Sequence, residues 1–243
     1  MSKLIKYENE YSSNASAKFD LDFIQATNPS DLVKCFSALE KSKSQLRQDL
    51  FVLTELAFLQ GGYFVEFGAT NGVDFSNSYL LEKEFSWKGI LAEPSKIWHK
   101  ELHLNRPLAI ISELCVWKDS NSILNFNETS PATLSTINEF SASDLHFATR
   151  KGGTHYDVRT ISLMDLLKKY DALKDIDYLS LDTEGSEFEI LNAFDFSEYS
   201  FRVITCEHNY TENREKIYAL LIKHGYKRCF ESISKFDDWY TKV

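Results

Sequence analysis

A doubly wound α/β sheet, mostly parallel and with helices on both faces, is the fold class that the sequence predicts. From residue 63 onward, short runs rich in β-branched and aromatic residues alternate with segments of helical period. These runs are apolar throughout rather than at every second position, the pattern of strands covered on both faces. No internal repeat and no linker breaks the series, so one domain is expected over residues 44–243. Residues 1–43 read as an N-terminal arm and short helix that cap it.

The first thirty residues are polar and carry no sustained period; DLVKCFSALEKSK, from Asp31, reads as a short helix. SQLRQDLFVLTELAFL sets Leu46, Leu50, Leu53, Leu56 and Ala57 on one helical face and stops at Gly61-Gly62. YFVEFG (63–68) is the first strand, and Ser76 to Phe85 is helical. KGILAEP (88–94) is a strand closed by Pro94, and SKIWHKELHL is a helix. LAIISELCVW (108–117) is a third strand. Residues 118–160 fit short strands and a long loop, which in a compact domain is more often functional than idle. TISLMDLLKKY is a capped helix, DYLSLD (177–182) a strand, and SEFEILNAF a helix. RVITCEH (202–208), ENREKIYALLIKHG and YKRCFESI complete the alternation as strand, helix and strand.

The chain has 243 residues, 43% of them hydrophobic, enough to bury a full core. Its net charge of −9 argues against a nucleic-acid partner, since phosphate binding calls for clustered Lys and Arg. No run approaches 18 apolar residues, so no membrane span is expected, and MSKLIKYENEYSS lacks a secretory apolar stretch. Cys35, Cys115, Cys206 and Cys229 form no CxxC pair and read as small core residues. The cytoplasm is the expected compartment.

GGYFVEFGATNG is the informative stretch. Gly68 ends the first strand, where a glycine lets the backbone turn and a ligand approach the next helix. With Gly72 it gives GxxxG rather than the GxGxxG of a dinucleotide site, because Thr70 stands between them, and no GK[ST] follows. An NAD-type nucleotide-binding module or a dehydrogenase is thereby weakened. Glu66 lies inside an apolar run, placed to receive a cationic or donating group. Glu93 ends the second strand, where a carboxylate can take both hydroxyls of a ribose. The set describes an adenosyl ligand without a pyrophosphate, and S-adenosylmethionine fits it.

SQLRQDLFVL, GGYFVEFGATNGVDFSNSYLLE, ILAEPS, DYLSLDTEGSEFEIL and VITCEHN together resemble the FkbM-type S-adenosylmethionine-dependent methyltransferases, from about Ser44 to Tyr226. LDTEGSE is the most specific part. The resemblance implies a Rossmann-like sheet with an antiparallel last strand and O-methylation of a sugar or natural-product hydroxyl. By position it implies that Glu66, Gly68 and Gly72 line the methionine part, Glu93 holds the ribose, and Cys115 and Val116 lie near the adenine. Gln45 and Gln48 would close over the cofactor.

Asp182 and Glu184 end one central strand, and Glu207 and His208 end the next. Carboxylates with an imidazole suit Mg²⁺ or Mn²⁺, so Asp182, Glu207 and His208 are the expected metal ligands and catalytic residues. The plainer reading of Glu184 and Asp182 is as caps of the helix near Ser186. Arg150 and Lys151, beside Gly152-Gly153 and flanked by His146 and His155, could meet an anionic part of a nucleotide-linked sugar, with Glu184 alongside. His99 and His103 read as a solvated helix face. A silent binding module would have no reason to gather acids at 182 and 207, and no [ND]PP[YF] motif of a base methyltransferase occurs. The acceptor and any homo-oligomer are left open by the sequence.

Overall fold

Five parallel strands and a reversed hairpin form the central sheet of the computed structural model, which describes residues 17–243. β1 (Tyr63–Phe67) lies between β2 (Lys88–Ala92) and β8 (Asp175–Leu181). β3 (Ile110–Ser112) extends the sheet past β2, and β9 (Ser200–Glu207) extends it past β8. Next to β9 runs β11 (Asp237–Lys242), antiparallel to it, and then β10 (Tyr226–Cys229) at the edge. The chain winds outward from β1 to β3 and then returns to β8 on the other side of β1. Strand order therefore reverses between β1 and β8, the place where such sheets open a crevice.

Both faces are covered. On β1, Phe64 packs into one core and Val65 and Phe67 into the other. The first core holds α3 (Gln48–Glu55), α4 (Tyr79–Phe85) and α5 (Lys96–Asn105) through Leu50, Leu81 and Leu102. The second holds α7 (Leu163–Lys169), α8 (Glu187–Asn192) and α9 (Asn213–Lys223) through Leu166, Ile190 and Leu221. α1 (residues 17–26) and α2 (Leu32–Leu39) join the first core with Phe19, Phe23 and Cys35, against Phe51 and Trp239. Of the aperiodic arm expected over the first thirty residues, residues 1–16 lie outside the described residues, and residues 17–26 are helical instead, held by Phe19 and Phe23 in the first core.

Register sets up the site. Phe67 pairs with Ala92 on one side and Leu181 on the other, and Leu181 pairs with Cys206. One step further along each strand, Gly68, Glu93, Asp182 and Glu207 therefore fall in a row at the carboxyl edge. Residues 115–162 leave the main sheet and build a second one in the order β4-β7-β5-β6: β4 (Cys115–Trp117), β5 (Ile123–Glu128), β6 (Thr136–Ile137) and β7 (Thr154–Ser162). It arches over that row as a roof. α6 (Phe147–Arg150) sits in the return from β6 to β7.

Three elements differ from the sequence reading. The helix expected from Ser44 to the glycine pair is only α3. The Ser44 hydroxyl accepts the Asp49 N–H at 3.2 Å from outside the helix, and Ala57 and Phe58, both left-handed, close it early. The run 108–117 is two strands, because β2 ends at Ala92 and residues past Ser112 find their partner on β7 instead. DDWYTK is a strand that alternation alone did not disclose, and it supplies the antiparallel pairing with β9. Among the described residues, no helix is long and apolar enough to cross a membrane.

Candidate active site

A cavity of about 320 Å³ opens above the row of strand ends, walled by the sheet edge below and the roof above. Of the residues expected around a cofactor, Gln45, Glu66, Gly68, Glu93, Cys115 and Val116 line it. Gly68 is indispensable there. Its φ is +74°, and a Cβ would lie 2.0 Å from the Asp182 carbonyl oxygen. Gly72 serves packing instead. A Cβ on it would meet Arg106 Cγ at 2.6 Å and Leu102 at 2.7 Å, so it admits α5 rather than a ligand. Gln48 also stands outside. Its Nε2 donates to Asp237 at 2.7 Å and its Oε1 accepts the Leu46 N–H at 2.9 Å, which fixes the turn that carries Gln45.

The two acids of the opening motif are held by donors. Glu66 accepts from the Asn77 N–H at 2.7 Å, the Ser76 hydroxyl at 3.0 Å and the Ser78 hydroxyl. It thereby anchors the turn before α4. Glu93 accepts the Thr70 N–H and the Ser95 N–H, each at 2.8 Å, one on each oxygen. Burial lifts its carboxyl to about 7, against the lowering effect of those two bonds.

Asp182, Glu184 and Glu207 form the acidic end of the cavity, each with one carboxylate oxygen within 4.8 Å of the others. Burial, and then mutual repulsion among neighbouring acids, holds all three carboxyls well above the usual range. Glu184 has a left-handed backbone, φ +60°, an unusual conformation of the kind that collects at functional sites. Neither Asp182 nor Glu184 caps α8; Glu187, its first residue, ties the turn before the helix by accepting from Thr183 N–H and Oγ at 2.8 Å and Gly185 N–H at 3.1 Å.

The expected third ligand is elsewhere. His208 accepts the Tyr210 N–H on Nδ1 at 3.0 Å, and its Nε2 faces Asp238 at 3.7 Å, away from the triad. Burial lowers its pKa. Arg150 is likewise not free for a substrate. It is buried and donates to the Leu134 carbonyl at 2.8 Å, Asp144 at 2.8 Å and Glu184 at 2.6 Å. Lys151 is exposed, with its ammonium 5.3 Å from the Phe147 ring. His103 faces Glu113 at 3.0 Å, as a helix-surface residue does. Sequence reasoning missed Asn77, whose Oδ1 is buried without a partner beside the cavity, and Asp237, which burial raises to about 8. The SNS triplet after the glycine turn was the available signal for the first; Asp237 sits in the strand that was not seen.

Comparison with known proteins identifies the family. The model of the family described as "Methyltransferase FkbM domain" matches residues 66–239. No curated protein matches the chain in sequence. Among solved structures, the FkbM methyltransferase of Methylobacillus flagellatus KT is 10% identical, with a TM-score of 0.44 over 87% of this chain and 60% of that one. Precorrin-6y C5,15-methyltransferase of Geobacter metallireducens GS-15 is 13% identical, at 0.41 over 74% and 71%. TrmK of M. capricolum, solved with S-adenosylhomocysteine, is 9% identical, at 0.42 over 82% and 68%. All three scores lie below 0.5, and the family match stands without them. The chain belongs to the FkbM family of S-adenosylmethionine-dependent methyltransferases.

Proposed function

We propose that this chain methylates a hydroxyl oxygen of a small molecule, a sugar borne on a nucleotide or a polysaccharide precursor. One observation carries the reading: four strand ends align Gly68, Glu93, Asp182 and Glu207 along a single cavity. The residues fit the cofactor. Gly68 lets the end of β1 turn close against the Asp182 carbonyl beneath the cavity. Glu93 is aimed by two backbone N–H groups and keeps lone pairs for ribose hydroxyls. Cys115 and Val116 offer an apolar wall for the adenine. Glu66 and the unpartnered Asn77 Oδ1 suit an ammonium group. Bound S-adenosylmethionine supplies an electrophilic methyl group.

The chain's own work is to align the acceptor, exclude water and relieve the hydroxyl of its proton. Alignment in a closed site is worth about 7–11 kcal/mol at best, and a positioned base about 10²- to 10⁴-fold. Asp182 and Glu207 stand at the acceptor end, where they either take the proton or hold a Mg²⁺ or Mn²⁺ that lowers its pKa. Exposed Lys151, rather than Arg150, is the cation available to an anionic part of the acceptor.

Calorimetry tests the cofactor half: S-adenosylhomocysteine should bind with a micromolar-order Kd, and Glu93→Ala should weaken it by about 1–3 kcal/mol as charged hydrogen bonds are lost. Absence of binding to the wild type would sink the reading. Transfer of a labelled methyl group to a panel of nucleotide sugars, with the product examined by NMR, tests the rest. A label found on nitrogen or carbon would refute the oxygen acceptor.

A further inference from the structure

The geometry points to a divalent-cation site made by Asp182, Glu184 and Glu207, one oxygen from each, with Glu184 in the place that chain position suggests for His208. Seven acids crowd this region, and they divide cleanly. Glu66, Glu93, Glu187 and Asp237 have their carboxylates met by N–H or hydroxyl donors. The other three converge and are not so met. Glu207 is only 7% exposed, and its Oε2 has no partner. Among the described residues, no N–H and no Ser, Thr or Tyr hydroxyl donates to the Asp182 carboxylate, whose hydrogen-bond neighbour is the Glu207 carboxyl. The donors to Glu184, Arg150 and Asn209, both reach Oε2, at 2.6 and 3.3 Å, leaving Oε1 unclaimed.

A buried carboxylate without a donor is expensive, and three that face one another are more so. Arg150 does not cancel them, since its one positive charge is shared between Glu184 and Asp144. A cation among the three oxygens would. Two oxygens on opposite sides of an ion lie at twice the metal–oxygen distance, about 4.2 Å for Mg²⁺ and about 4.6–5.2 Å for Ca²⁺. The three oxygens all lie within 4.8 Å of one another, close enough to share one such ion. An all-oxygen set selects hard ions, Mg²⁺, Mn²⁺ or Ca²⁺, over softer metals that want imidazole or thiolate. Three protein ligands leave further positions for water and for acceptor oxygens, so a sugar with two adjacent hydroxyls could chelate the ion. That last step alone rests on the methyl-transfer reading; the site rests on the carboxylates.

The test uses the full chain, freed of metal with a chelator. Mn²⁺ titration followed by electron paramagnetic resonance should show one bound ion per chain, competed by Mg²⁺ or Ca²⁺, with S-adenosylhomocysteine binding measured in parallel. Glu207→Gln and Asp182→Asn keep side-chain size and should each weaken Mn²⁺ by more than the roughly 10- to 100-fold lost with a mere supporting group. Glu113→Gln, an exposed acid in the connection between β3 and β4, should change nothing. If the wild type binds no Mn²⁺, the cation site is wrong, whatever S-adenosylhomocysteine does. If both variants bind Mn²⁺ as the wild type does, the assignment of ligands is wrong. If Mn²⁺ binds as described while S-adenosylhomocysteine does not, the cation site stands and the methyl-transfer reading falls.

Discussion

Glu207 and His208 are neighbours in the chain and point to opposite faces of the sheet. Glu207 stands opposite Asp237 and lines the cavity, whereas His208 turns to Asp238. Side chains at consecutive positions along an extended chain alternate, which is how these two neighbours come to face different acids. The acids at 93, 182 and 207 were legible because each closes an apolar run, and Glu66 because it interrupts one. Which donors they already hold was not, because those donors come from turns whose shape the sequence does not dictate. The crowded carboxyls have a measurable consequence. Burial raises Glu93 from 4.5 to about 7 and Asp237 from 3.8 to about 8. The folded state then binds more protons than the unfolded chain between those limits, and stability falls as pH rises through the window. His208 and His224, lowered by burial, act in the opposite sense only up to about 6.5. Between pH 6.5 and 8.5 the Tm of the ligand-free protein should therefore decline. Glu207→Gln should raise it at pH 8, by about 2–4 °C for each kcal/mol relieved, and flatten the slope. Calorimetry showing a Tm that climbs over this range would contradict the account.

Elements were legible in proportion to how local their signals are. The strands and helices from 63 to 105 follow from apolar runs and breakers within a few residues. The limits of α3 do not, since Gln48 is drawn out of an ordinary surface role by a partner at position 237. β11 was missed for the same reason in reverse: DDWY begins with two acids, and they are tolerable in a buried strand only because Gln48 donates to one and Arg214 and Arg228 to the other. Gln48→Ala should orphan both the Asp237 carboxylate and the Leu46 N–H. Urea unfolding should report a loss of about 1–3 kcal/mol. S-adenosylhomocysteine should bind more weakly as well, because the turn bearing Gln45 loses its tether.

At the scale of the whole molecule, the roof is the part least visible in the sequence. β5 and β7 pair over a long connection of mixed polar residues, and no periodicity announces it. Arg150, buried between Asp144 and Glu184, fastens the roof to the sheet together with Thr136, whose hydroxyl donates to the Glu184 carbonyl at 2.9 Å. Arg150→Met should cost about 3–5 kcal/mol, the penalty of leaving buried charges unpaired. Hydrogen exchange should quicken across residues 129–153 before it does in the main sheet, while Lys151→Glu should stay within about 0.5 kcal/mol of the wild type. Equal protection across both sheets in Arg150→Met would count against the fastening. The pairing of β1 with β8 carries a different consequence. The Tyr63 N–H reaches Asp177 at 2.9 Å across 114 positions of chain, and the row of strand ends exists only once that pairing has closed. Closing so long a loop is slow, because its entropy must be surrendered before any contact rewards it. The pocket is thus among the last features to form as the chain folds, and no half-folded intermediate that lacks this pairing can hold the ligand.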